Sequence, residues 1–230
     1  MKTAAASFAL ASLVAFPVLT GACSIGDDPN AASDDQAISA TARAYVTLRR
    51  DTRKCAAPKC GGWFVKDVNR KNPTERYVAS LDFTNANLDD ASIAAVEDAH
   101  DGEVVVRAKL GPADAAGTRA LLVWEAYRGM PGFGPATGDT FYAVAERNPQ
   151  INCFTAPCDE LTSAKLNSTA KTNFTRVEIE MQNRLQTSWL ENRAEADGAL
   201  VAGSIGNGDH FPGGYEHVLR ANQVFLRLPE

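Results

Sequence analysis

An α+β fold, mainly antiparallel β and arranged as two tandem units of β-β-β-α-β-β, is what this sequence predicts, on three observations. The first is a repeated spacing: Cys55 to Cys60 and Cys153 to Cys158 are both C-x4-C and lie 98 positions apart. Val46, Arg49 and Asn69 recur at the same offset as Val144, Arg147 and Asn167, and Tyr127 meets Phe225. The second is apolar alternation at strand period, and the third is a helix-period stretch ending just before Gly102 and again before Gly198. The units span 41–130 and 139–230. A Gly- and Pro-rich linker, 131–138, joins them.

In unit one the strands fall at 43–50, 62–69, 76–83, 103–110 and 119–128. The third alternates Tyr77, Ala79, Leu81 and Phe83 on one face. The fourth alternates Val104, Val106, Ala108 and Leu110. A helix over 88–100 carries Leu88, Ala91, Ala95 and Ala99 along one side, widened by Ile93 and Val96. Unit two repeats the order with strands at 141–147, 160–167, 174–180, 199–205 and 217–228. Its helix, 182–195, sets Leu185 and Trp189 four apart. Gly206 to Gly214 reads as a polar loop. This order suits either an OB-like barrel or an open sheet, and order alone does not choose between them.

The chain begins differently. Lys2 precedes an apolar run, Ala4 to Leu19, as in a secretory signal. Leu19-Thr20-Gly21-Ala22-Cys23 resembles a lipobox, which makes Cys23 the expected lipidation site and a lipid anchor the expected membrane partner. Residues 24–40 hold four Asp and no basic residue, the composition of a disordered tether. The chain is therefore expected at the cell envelope, periplasmic or surface-exposed. Cys55, Cys60, Cys153 and Cys158 are then four thiols in an oxidising compartment, where pairing is favoured. Two short staples, cross-pairing between units and a four-thiolate zinc site are the alternatives, the last with spacing unlike most zinc sites.

Cys55 to Cys60 followed by Gly61-Gly62 and Val68-Asn69-Arg70 resembles a bacterial family, domain of unknown function 6748, found in exported proteins. Cys153-Phe-Thr-Ala-Pro-Cys158 with Leu166-Asn167 is similar to the same family's tandem partner. The resemblance covers most of residues 43–228. It implies architecture and location and brings no activity or cofactor with it.

Chemistry-bearing motifs are sparse. Ser204 sits in Ala202-Gly-Ser-Ile-Gly206, which lacks the first glycine of a nucleophile elbow. Asp209, His210, Glu216 and His217 cluster near the last loop and offer the one acid–base or metal candidate. No phosphate-cradling loop or zinc-protease motif is present. Charge says more. The chain carries −5 overall, yet Arg43 to Arg76 holds ten basic residues against Asp51, Asp67 and Glu75, with Tyr45, Trp63 and Phe64 interleaved. The expected ligand-binding residues are Arg49, Arg50, Arg53, Lys54, Lys59, Trp63, Lys66 and Arg70. A non-catalytic module for an anionic polysaccharide or envelope protein follows, with nucleic acid a poor fit to the compartment. The alternative is a peptidase inhibitor presenting Lys59 on a disulfide-braced loop. An enzyme built on His210 and His217 comes third.

Overall fold

In a computed structural model the described residues are 38–55, 59–131, 134–146, 157–179 and 199–229. The expected helix at 182–195, the leader, residues 24–37 of the tether, Cys23 and Cys153 lie outside them; the tether's last residues, 38–40, are described, and Ile38 is buried in the core rather than part of a disordered segment. The strands are β1 (Ala44–Arg50), β2 (Trp63–Asp67), β3 (Arg76–Val78), β4 (Ser80–Asp82), β5 (Val104–Ala113) and β6 (Arg119–Gly129). They continue as β7 (Thr140–Glu146), β8 (Leu161–Lys165), β9 (Lys171–Phe174), β10 (Arg176–Ile179), β11 (Leu200–Phe211) and β12 (Gly214–Arg227), and α1 is Asp90–Glu97. They form one open, mostly antiparallel sheet in the order β3-β2-β1-β5-β6-β12-β11-β7-β8-β9. β4 pairs parallel to β6, and β10 parallel to β12.

That order is the same read from either end. β3, β2, β1, β5 and β6 stand where β9, β8, β7, β11 and β12 stand in the other half, and β4 and β10 add to β6 and β12 in the same sense. The register agrees too. Arg107 opposite Glu125 is followed by Ala108 opposite Val123; Ala202 opposite Gln223 is followed by Gly203 opposite Ala221. Each half therefore has a bulged residue at the matched point, Trp124 or Asn222, and a second irregularity nearer the hairpin turn, between Leu110 and Ala113 or between Asn207 and His210. The halves meet through only three pairs of β6 with β12, Tyr127 to Gly129 against Arg227 to Phe225.

Three apolar clusters follow from strand alternation. One face of the first half buries Val46, Leu48, Trp63, Val65, Val78, Val104, Val106, Leu121 and Val123 under α1. Val144, Phe174, Val177, Val201 and Leu219 lead the second cluster. Between them Val68, Val105, Tyr127, Leu166, Leu200 and Phe225 form a third, drawn from both halves.

Asn69 and Asn167 lock this junction. Each follows an edge-side strand, β2 or β8, in the left-handed region, with φ 59° and 58°, which Asn tolerates better than most residues. Asn69 Nδ2 donates to the carbonyls of Phe141 (2.7 Å) and Leu166 (2.9 Å), and its Oδ1 accepts from the Phe141 N–H (2.7 Å). Asn167 returns the pattern: Nδ2 to the Tyr45 and Val68 carbonyls at 2.8 and 3.1 Å, Oδ1 from the Tyr45 N–H at 2.7 Å. Each amide thus works as an extra peptide group supplied by the opposite half.

Several sequence expectations need correction. The third strand of unit one is two strands, because the Ala79 N–H turns to the Arg119 carbonyl (2.8 Å) and the chain leaves β2 for β6. The break changes the facing, so Val78 is in the core while Tyr77 lies opposite Phe64 on the other face. The helix is shorter than 88–100: Asp89 caps Ser92 N (2.7 Å), while Asp98 and Asp101 oppose the dipole at its other end. Ser92 rather than Ala91 faces inward, its hydroxyl donating to the Pro229 carbonyl at 3.3 Å. Gly206 to Gly214 is no loop; β11 and β12 continue to a two-residue turn, with Phe211 opposite Gly214.

Asn69→Ala should cost about 3–4 kcal/mol in urea unfolding, from three lost bonds and an unfavourable positive φ. Asn69→Gly should recover about 1 kcal/mol of that by removing only the backbone strain. Wild-type stability in Asn69→Gly would show that the amide contributes nothing, and equal losses for the two variants would show that the positive φ costs nothing.

Candidate functional site

Alternation divides the predicted basic patch between two faces of the sheet. Trp63 belongs to the core at 4% exposure, with only Arg50 laid over its ring, 4.5 Å from the centroid. It is therefore not a displayed ligand-binding residue. Arg49, Phe64, Lys66 and Tyr77 lie on the opposite face, where Arg49 sits 4.3 Å and Arg53 5.0 Å from the Phe64 centroid, and Phe64 meets Tyr77 edge-on at 5.8 Å. Several of these cations already hold a carboxylate. Arg49 forks onto Glu75 (2.6 and 3.2 Å), which holds Glu75 below its ordinary range. Arg53 forks onto Asp51, both bonds 2.9 Å. Arg70 and Arg76 reach Asp67 at 3.6 and 4.0 Å. Lys54, Lys59 and Lys66 have no ion-pair partner among the described residues.

The buried carboxylates Asp51 and Asp67 were invisible as anchors in the sequence. Asp51 caps the β1–β2 hairpin, and Asp67 also accepts the Ile38 N–H at 2.8 Å. Beyond them Cys55 is disulfide-bonded to Cys60, with Cα atoms 5.7 Å apart. In the chain-entropy view so short a ring contributes about 2 kcal/mol. Arg53 Nη2 donates to the Lys59 carbonyl (3.2 Å), tying this loop to the strand it leaves. Cys158 is also disulfide-bonded, while the expected partner Cys153 is not among the described residues.

A second group of residues, not singled out from sequence, lies on the same face one strand over. Arg107 Nη1 donates to Glu125 Oε1 (2.7 Å), and the Tyr127 and Tyr45 hydroxyls reach Glu125 Oε2 at 2.8 and 3.5 Å. Burial works to raise the Glu125 pKa, but the Arg107 and Tyr127 bonds outweigh it and hold the carboxyl below its ordinary value. Burial first, then the neighbouring phenol and carboxylate, push the Tyr127 hydroxyl far above its ordinary range. Glu125 thus stays ionised and Tyr127 protonated near neutrality, an arrangement suited to holding hydrogen bonds rather than passing a proton. Next to it the bulged Trp124 lies under Arg43, whose Cζ is 4.2 Å from the ring centroid, with Lys109 Nζ at 5.3 Å. The signal in the sequence was the alternation of Tyr45, Arg107, Glu125 and Tyr127, readable only once the register is known.

The histidine group does not assemble. Strand alternation buries Glu216 against Arg176 and turns His217 outward, where its Nδ1 is 3.5 Å from Asp159. His210 instead meets Tyr215 edge-on at 4.6 Å. Among the described residues no cluster of His, Cys, Asp or Glu is placed to hold a metal ion. Among them, too, no helix is long and apolar enough to cross a membrane.

The chain belongs to the family described as Domain of unknown function (DUF6748), whose pattern it matches over residues 44–230. No curated protein and no solved structure matches it.

Arg53 lowers the Asp51 pKa from 3.8 to about 2. A depressed carboxylate stabilises the fold fully above its unfolded value, and that contribution fades as pH falls from about 4 through about 2. Asp51→Asn should flatten the acid limb of thermal stability in that window. An unchanged limb would disprove the pairing.

Proposed function

We propose that this member of the DUF6748 family is a non-catalytic cell-envelope module that binds an anionic polysaccharide through the outer face of β1, β2, β5 and β6. One observation carries the reading: every cation–π pairing among the described residues lies within residues 43–124, and all but that of Arg50 with Trp63 are on this outer face. A sheet face on which guanidinium and ammonium groups alternate with rings offers charge for acid groups and flat apolar surface for sugar rings. The fixed protonation of the Glu125 cluster fits recognition better than turnover. The Lys59 carbonyl, engaged by Arg53, weighs against presentation of that loop to a peptidase.

Two further parts belong to the same reading. The chain is a duplicated module, supported by the common cysteine offset, the symmetric strand order and the reciprocal Asn69 and Asn167 bonds. It is an exported lipoprotein anchored through Cys23. The lipobox-like leader, the acidic segment 24–40 and the Cys55–Cys60 disulfide support that, since such bonds persist in oxidising compartments.

The oxidised protein should bind polygalacturonate and not neutral dextran, with affinity falling about tenfold between 50 and 300 mM salt as screening grows. Calorimetry showing equal affinity for both polymers, or no salt dependence, would remove the proposal. For the anchor, Cys23→Ser should move the protein from the detergent-rich to the aqueous phase on partitioning. A variant that stays in the detergent phase would rule out lipid at that position.

A further inference from the structure

Bulges occur at matched points in both halves, so the fold itself accounts for them; what the two halves place there differs. In the second half the bulged Asn222 donates to both Asp139 oxygens at 3.0 and 3.1 Å. Those two polar groups satisfy each other. In the first half the matched positions hold Trp124 and Arg43, and Lys109 stands where Ser204 stands. Arg43 is exposed, and Lys109 and Trp124 are partly exposed. Neither cation has an ion-pair partner among the described residues, in contrast to Arg49, Arg53, Arg70, Arg76 and Arg107.

The same contrast runs on behind the bulge. Tyr45, Arg107, Glu125, Tyr127 and Arg227 in one half match Phe141, Ala202, Gln223, Phe225 and Gly129 in the other. The second set holds the sheet together with neutral side chains, so the fold does not require the charged set. A bulge re-aims the side chain of its extra residue, and that residue, Trp124, directly precedes Glu125 in β6.

We infer that Arg43, Lys109 and Trp124 form the subsite that takes a sugar acid, its carboxylate held by the two cations and its ring laid against the indole, with Glu125 and Arg107 meeting its hydroxyls. The inference rests on the anionic-polysaccharide reading and gives it a place and a unit of recognition. An ionised carboxylate beside the ring accepts hydroxyl donors and repels closely packed phosphates. That favours a uronic acid over a polyphosphate or a nucleic acid.

The test uses the full-length oxidised protein and tetragalacturonate at low salt, read by calorimetry and tryptophan fluorescence. Trp124→Ala, and Arg43→Gln with Lys109→Gln, should each weaken binding at least tenfold. Lys165→Gln with Lys171→Gln, on β8 and β9, should leave it within about twofold. Trp124→Phe keeps a ring at minimal disturbance to the fold; it should abolish the fluorescence response while calorimetry still detects binding. Wild-type affinity in the Arg43 and Lys109 variant, with loss instead in Lys54→Gln with Lys59→Gln, would overturn the subsite and leave polyanion binding standing. Equal binding of the methyl-esterified oligomer would overturn the carboxylate seat. No binding by the wild-type protein would overturn both readings.

Discussion

Two asparagine amides set the geometry on which everything else in this sheet depends. β6 and β12 meet over only three residue pairs, too short a seam to fix the relative position of the strands on either side. Asn69 and Asn167 add a second attachment across the same junction, each with three hydrogen bonds to backbone of the opposite half. Because their partners are peptide groups, the attachment is indifferent to the side chains on those strands. Because the bonds sit beside the apolar cluster of Val68, Leu166 and Phe225, losing them would leave peptide groups poorly solvated.

That indifference explains how the two halves differ so much while pairing alike. Around the bulge of β6 the strand face carries cations, phenols, a carboxylate and an indole; around the bulge of β12 it carries Phe, Ala, Gln, Gly and Ser, with Asn222 bonded to Asp139. The second set, with one charge already bonded to its neighbour, is the easier one to pack. Even so, Gln223 leaves its Oε1 buried without a hydrogen-bond partner, so the matched position is awkward for a polar group that lacks Arg107 and the two phenols. In the first half the carboxylate is accepted because Arg107 and Tyr127 bind it directly. A buried or half-buried charge that the matching position in the other half of the sheet does without is poor evidence for stability.

Strand positions are legible in the sequence because alternation and turn residues report them directly, and most of the described strands fall close to their expected spans; β9 instead lies almost wholly before the expected 174–180, and β11 runs on to Phe211 through the span that reads as a loop. Facing was less legible. Unbroken alternation puts Tyr77 on the face of Leu81, and the break at Ala79 reverses it. Trp63 stands among cations in the sequence, although neighbours along a strand point to opposite faces. Ser92 entered the core through a hydroxyl bond to Pro229, a residue 137 positions away, which no local pattern reveals. The Glu125 cluster was missed for the same reason: its members come from three strands and converge only through register. Asn69 and Asn167, by contrast, were visible as a matched pair, and only their bonding was hidden.

The basic excess between Arg43 and Arg76 shows why charge read along a chain overstates a binding surface. Five of its ten cations, counted in the sequence, end against a carboxylate or an aromatic core residue: Arg49, Arg50, Arg53, Arg70 and Arg76. Pairing leaves each guanidinium less able to attract a distant anion, though its remaining N–H groups still donate at short range. Long-range attraction then falls to Arg43, Lys54, Lys59, Lys66 and Lys71, with Lys109 from outside the run. Of these, only Arg43 and Lys109 share a ring and stand beside fixed hydrogen-bonding groups. Density of charge in the sequence pointed to the hairpin tip; availability of charge in the fold points to β5 and β6.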